Sequence, residues 1–225
     1  MLHAFNQKGV RRVLCNRHEE HTNNKNEDAI TSMVFSPLAF MRAVDAWLVV
    51  KTLLGPDLLS DYATRHPNAH EIQLWPNGLK AQARNGDSTS RCEPDLVMQF
   101  QFDDIRSLII TWEMKWTWIM ATNELLYEIV REQEAIKKAY PRSRRLIVAL
   151  TQTAGPIKRA GVINIRWTDV HRIAHQLKSE TFATPVREWG KQVSTFLEKA
   201  KQISFSGFHT LSVEKIKFQF TEQPK

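Results

Sequence analysis

Glu113 and Lys115 stand two residues apart within Leu108–Trp118, a stretch in which residue character alternates. Successive side chains of a β-strand point to opposite faces. One face of this stretch carries Leu108, Ile110, Trp112, Met114, Trp116 and Trp118, and its tryptophans read as packing rather than as stacking platforms. The other carries Ile109, Thr111, Glu113, Lys115 and Thr117. An acid and a base therefore project side by side from the non-core face of an apolar strand. The preceding stretch, Asp95–Phe102, places Leu96, Met98, Phe100 and Phe102 on one face and Asp95, Val97 and Gln99 on the other. Antiparallel pairing of the two would bring Asp95 beside Glu113 and Lys115.

Two carboxylates a few ångströms apart repel each other unless a cation lies between them. Oxygen ligands that leave several waters in place suit Mg²⁺, or Mn²⁺ in the same role. Such an ion polarises a phosphate and lowers the pKa of an attacking water. Lys115 would orient that water or offset the charge that builds on phosphorus. An isolated Glu-x-Lys is an ordinary surface ion pair, so the reading rests on what surrounds it.

Other chemistry-bearing groups carry less. Cys15, His18 and His21 supply three possible zinc ligands where a structural site takes four. His171 and His175 lie one helical turn apart with no glutamate at 172, as on a half-buried helix face. Neither a phosphate-binding glycine loop nor a dinucleotide fingerprint is present, and no Gly-x-Ser-x-Gly elbow points to an esterase.

The elements that must position the cluster can be read along the chain. Residues 1–25 form a polar arm. Asn26 is placed to cap a helix whose first turn holds Glu27 and Asp28. Ser36-Pro37 restarts the helical pattern, and Leu38, Met41, Val44, Trp47, Leu48 and Leu54 make its buried stripe until Gly55-Pro56. A short helix over 57–64 follows, then a strand over Glu71–Trp75. Asn77–Ser90, with Asn85-Gly86-Asp87, reads as a turn region. After the two strands above, a helix spans Asn123–Tyr140, with Leu125, Ile129 and Ile136 inward and a charge-rich opposite face, and Pro141 stops it. Leu146–Leu150 is an apolar strand covered on both faces, and Val162–Trp167 is another. Thr168 or Asp169 caps a helix through Leu177, and Pro185 opens a last one with Trp189, Val193, Phe196 and Leu197 inward. His209–Phe220 reads as a terminal strand pair or arm. The expectation is one domain over 1–225 with a tail at 205–225, built as a mixed sheet sandwiched by helices.

At 225 residues, 42% apolar and 24% charged, the chain has an ordinary globular composition. No apolar run reaches the length of a membrane span, no secretory leader is evident, and two cysteines favour a reducing, cytoplasmic setting. The net charge of +7 suits a polyanionic partner. From Arg131 to Arg166 there are nine basic residues against two acids. Lys137, Lys138, Arg142, Arg144 and Arg145 gather at a helix end, and Lys158 and Arg159 lie on a glycine-bracketed loop. All seven are candidate phosphate contacts.

Pro94-Asp95, then seventeen residues, then Glu113-Met114-Lys115 resembles the signature of the PD-(D/E)xK nuclease superfamily. Glu27, in Asn26-Glu27-Asp28-Ala29-Ile30-Thr31, resembles the family's first-helix acid. Ile165-Arg166-Trp167-Thr168-Asp169 looks like a late strand-to-helix junction found in members. The resemblance covers roughly residues 27–177 and implies a restriction-endonuclease-like αβββαβ core with an added C-terminal helix and tail. It implies Asp95, Glu113 and Glu27 as metal ligands and Lys115 as the catalytic lysine. Members resembling RecB-type nucleases add a glutamine and a tyrosine on the next helix. Here Glu124-Leu125-Leu126-Tyr127 carries glutamate in place of that glutamine, and Gln133, more than two turns later, is taken as the further catalytic candidate.

Two classes of function follow: a Mg²⁺-dependent endonuclease cutting DNA, ahead of RNA, in a defence, restriction, transposition or repair complex, or a non-catalytic nucleic-acid-binding or scaffold protein that keeps the fold. A single small domain cutting both strands of a duplex implies a homodimer or a targeting partner protein, and no membrane.

Overall fold

The computed structural model describes residues 23–83, 88–116, 122–152 and 157–204. The arm with Cys15, His18 and His21, the tail and its His209–Phe220 stretch, Asn85-Gly86-Asp87, Thr117, Trp118 and Gly155-Pro156 lie outside these residues. The described residues open with helix α1 (Asn23–Phe35), three residues before the cap expected at Asn26. A 3₁₀ turn over Ser36–Phe40 follows, with Pro37 at its start. Helix α2 (Ala43–Leu54) ends where Gly55 takes φ 84°, a conformation that costs a side-chain-bearing residue energy. Leu38 and Met41 therefore belong to the connection, and Val44 is exposed; Leu38, Trp47 and Leu54 are buried as expected, and α2 adds Ala46, Val49, Val50 and Leu53. The turn over 36–42 shifts the helical phase that a continuous pattern would have given. The short helix α3 (Pro56–Leu59) and a 3₁₀ turn over Ser60–Tyr62 lead into the sheet.

Among the described residues five strands make that sheet: β1 (Ala69–Leu74), β4 (Leu96–Gln101), β5 (Leu108–Lys115), β6 (Arg144–Thr151) and β7 (Val162–Arg166), in spatial order β1-β4-β5-β6-β7. The first three run antiparallel, and β5, β6 and β7 run parallel. Parallel neighbours need a crossover, and helix α4 (Thr122–Ala139) supplies it between β5 and β6. The expected mixed sheet sandwiched by helices is the observed architecture. Between β1 and β4 the chain forms a separate hairpin, β2 (Lys80–Gln82) with β3 (Thr89–Arg91), where only a turn region was expected. Three residues per strand are too few for alternation to register in the sequence.

Both faces of the sheet are covered. On one, Leu96, Met98, Phe100, Leu108, Ile110, Trp112 and Met114 join the main core with α1, α2 and two later helices, α5 (Trp167–Leu177) and α6 (Thr184–Ser204). On the other, Val97 and Ile109 pack against Ile136 of α4, and Ile147 and Ala149 against Leu125 and Ile129. The Glu113 face of β5 is thus a second buried face beneath α4, rather than a face away from the core. The hairpin lies against the same helix through Ala81, Cys92 and Ala135.

Candidate active site

The site arises where β5 outlasts its neighbour. Strand pairing between β4 and β5 ends at Leu96 opposite Trp112, so the next position out sets Asp95 opposite Glu113. Beyond that point the main chain of β5 needs other partners, because a buried N–H left unpaired costs about 1–3 kcal/mol. Asp95 Oδ2 accepts from the Met114 N–H at 2.7 Å, and Glu27 Oε2 from the Trp116 N–H at 2.7 Å. Trp167 Nε1, at the start of α5, donates to the Lys115 carbonyl at 3.2 Å. Two acids and a tryptophan from three elements thus hold the end of β5, and with it Glu113 and Lys115.

Lys115 lies among carboxylates. Its Nζ stands 2.6 Å from Glu113 Oε1, 3.4 Å from Glu128 Oε2 and 3.7 Å from Glu27 Oε1. The side chain is 18% exposed. Glu113 also shares a hydrogen bond with Glu132, and both are buried. A hydrogen bond between two carboxyl groups requires a proton on one of them. Burial, joined by the neighbouring Asp95 charge, holds Glu113 and Glu132 well above the ordinary carboxylate range. Burial likewise pushes Glu27 up to about 7, opposed by the Lys115 ammonium. The surrounding carboxylates keep Lys115 firmly charged although burial opposes it.

The arrangement brings together Asp95, Glu113, Lys115 and Glu27, as expected. Gln133 is not among them: it accepts from Arg159 Nε at 3.1 Å on the outer flank of α4. One residue earlier the helix turns Glu132 inward, and one turn before that Glu128. These two were read only as part of a charge-rich face. Their signal was the i, i+4 spacing of Glu128 and Glu132, in phase with Leu125 and Ile129 rather than opposite them.

An oxygen-only donor set and an excess of buried negative charge over one ammonium fit a hard divalent cation. Among the described residues, no group of three or more His, Cys, Asp or Glu stands ready to enclose one. Mg²⁺ commonly takes only one or two carboxylates, with waters and phosphate oxygens completing its shell. Asp95 and Glu113 supply two carboxylates at this strand end, with Glu27 adjacent.

The seven basic candidates divide. Because β6 is parallel to β5, Arg144 and Arg145 lie beside Leu108 and Ile109, at the opposite end of β5 from Lys115. At ~3.3 Å per residue that separation is roughly 20 Å. Lys137, Lys138 and Arg142, at and just past the end of α4, share that remote end. Arg145 moreover donates to the carbonyls of Tyr140, Pro141 and Ser143, closing the turn after α4. Lys158 and Arg159 are exposed, and the Gln133 contact sets Arg159 against the middle of α4, nearer the carboxylates. His171 pairs with Glu198 at 3.1 Å.

Comparison with family models, curated proteins and solved structures finds no match for this chain. Among the described residues, no helix is long and apolar enough to cross a membrane.

Proposed function

We propose that the chain is a metal-dependent nuclease of the PD-(D/E)xK type that hydrolyses phosphodiester bonds, with DNA as the first substrate to test. The observation that carries this reading is the convergence of Asp95, Glu113, Glu27 and Lys115 at one strand end, from three separate elements. Mg²⁺ or Mn²⁺ held by Asp95 and Glu113 would supply Lewis acidity towards the phosphate. Glu27 fixes the main chain of Trp116 and faces the ammonium, so it sets where Lys115 sits. Lys115, whose side chain is part-exposed, would orient a water and offset charge gathering on the phosphoryl oxygens. A homodimer or a targeting partner, in a reducing cytoplasmic setting, belongs to the same proposal, since cutting both strands of a duplex takes two such sites.

The test is incubation of purified protein with supercoiled and single-stranded DNA and with RNA, in Mg²⁺ or Mn²⁺. Asp95→Asn keeps an oxygen for the Met114 N–H while removing a charged ligand. It should lower the cleavage rate by about 100-fold or more with the circular dichroism spectrum unchanged. Wild-type cutting by that variant would remove Asp95 from the mechanism. One observation favours a second reading, a binding or scaffold protein that keeps the fold: Lys115 is already tied to three carboxylates, as in a structural ion cluster. Nucleic-acid binding that ignores divalent ions, with no cleavage of any substrate, would establish that reading instead.

A further inference from the structure

A cavity of about 240 Å³ opens beside the carboxylate cluster, between the end of β5, the first turn of α5 and α6. Its apolar walls are Trp116, Trp167 and Leu197. The two indoles meet edge to face, 5.1 Å between centroids at 72°. Its rim is polar: the Gln152 carboxamide, the Thr168 hydroxyl and the His171–Glu198 pair. Trp116 directly follows Lys115, and Trp167 donates to the Lys115 carbonyl, so the wall of the cavity is continuous with the candidate catalytic strand end.

An apolar floor of Leu197 and the edges of two buried indoles, with hydrogen-bonding groups at the rim, matches one chemical class closely, a heteroaromatic base. Every nucleobase is a flat apolar body with an edge of donors and acceptors. Gln152 can donate and accept at once, and Thr168 adds a hydroxyl that does either. Among the described residues, the sole acid on the rim, Glu198, is paired with His171, so a neutral base meets no isolated charge there.

We propose that this cavity receives one unstacked nucleobase of the strand whose phosphate lies at Lys115. The proposal rests on the nuclease reading for the position of that phosphate. Trp116, expected from the strand phase to serve packing alone, then has two roles: its body closes the core and its free edge forms the wall of a base pocket. Unstacking a base from a duplex costs free energy, so the site favours single-stranded, nicked or frayed substrate over intact duplex.

The test compares a thymidine decamer with a decamer of the same phosphodiester backbone bearing tetrahydrofuran in place of every base, both bound in Ca²⁺ without turnover. With one base seated in the cavity, wild type should prefer the base-bearing strand by about 10-fold. Leu197→Trp fills the cavity and should bring that ratio close to one, with affinity for the abasic strand unchanged. Gln152→Ala with Thr168→Ala, both on the rim, should reduce the ratio severalfold, and serves if Leu197→Trp does not fold. A wild-type ratio near one, binding of neither strand, or ratios untouched in the folded variants would each overturn the pocket. Cleavage in Mg²⁺, measured separately, keeps the two proposals apart. A protein that cuts without base preference loses only the pocket, and one with base preference that never cuts loses only the nuclease reading.

Discussion

Burial holds Glu113 and Glu132 above the ordinary carboxylate range, where the pair keeps one shared proton, and lifts Glu27 to about 7, so the folded chain holds protons that it releases when unfolded. A carboxyl with a raised folded pKa stabilises fully below its unfolded value, and that contribution is lost as pH rises through the folded value. Without divalent ions the melting temperature should therefore fall between pH 4.5 and about 7, the window set by Glu27. Glu132→Gln replaces a shared proton with an amide that donates to the Glu113 carboxylate. Thermal melts in chelator at pH 8 should place this variant about 2 kcal/mol above wild type; equal or lower stability would contradict the shared proton. Lys115 presents the reverse case. Lys115→Ala leaves Glu27, Glu113 and Glu128 without their counter-charge, so it should cost about 3 kcal/mol at neutral pH as well as activity. Added Mg²⁺ should recover part of that stability, and melts with and without the ion would show it.

Elements distant from the carboxylates set their geometry through main-chain contacts. Helix α5 carries Trp167, which holds the Lys115 carbonyl, and α5 is held in turn by α6. Their crossing depends on Gly190: a Cβ there would come within 2.6 Å of the Ala174 carbonyl oxygen and 2.7 Å of the Lys178 nitrogen. Both are backbone atoms and cannot rotate aside. Gly190→Ala gains about 1 kcal/mol of helix propensity, and the forced separation of the helices costs about 1–3 kcal/mol. The clash should prevail, because the approach is well inside van der Waals contact. Denaturant unfolding of this variant should give net destabilisation, and a gain in stability would mean that the helices part at no cost.

At the scale of the whole molecule, charge is divided between two ends of the sheet. The carboxylates gather at the end of β5 where β4 has stopped, whereas Arg144, with Lys137, Lys138 and Arg142, lies at the other end. A ligand centred on Lys115 meets Lys158 and Arg159 before it reaches that basic end. For a ten-base-pair duplex bound in Ca²⁺, Lys158→Ala with Arg159→Ala should reduce the slope of log affinity against log salt by about two, near one per phosphate contact. Lys137→Ala with Arg144→Ala should leave the slope unaltered on the same duplex. The opposite result would move the nucleic-acid surface to the far end of the sheet and with it the candidate cut site.

The strand phase of β4 and β5, the helix over α4 and the α/β class were legible because each rests on a local period of two or about 3.6 residues. That period alone set Asp95, Glu113 and Lys115 on a common side, and the register joined them as expected. Gln133 against Glu132 shows where local reading stops. Adjacent helical residues point about 100° apart, and only the packing of α4 on Ile109 and Ala149 decides which of them faces Glu113. The basic segment shows the same limit at larger scale. Lys137, Arg144 and Lys158 are close in sequence, but the parallel crossover carries the first two to the end of the sheet remote from Lys115. Composition and periodicity determined which residues are available and which face each takes within its element. The tertiary structure alone decided which faces meet, because strand order, parallel direction and the seating of α4 are set by contacts between residues far apart in the chain.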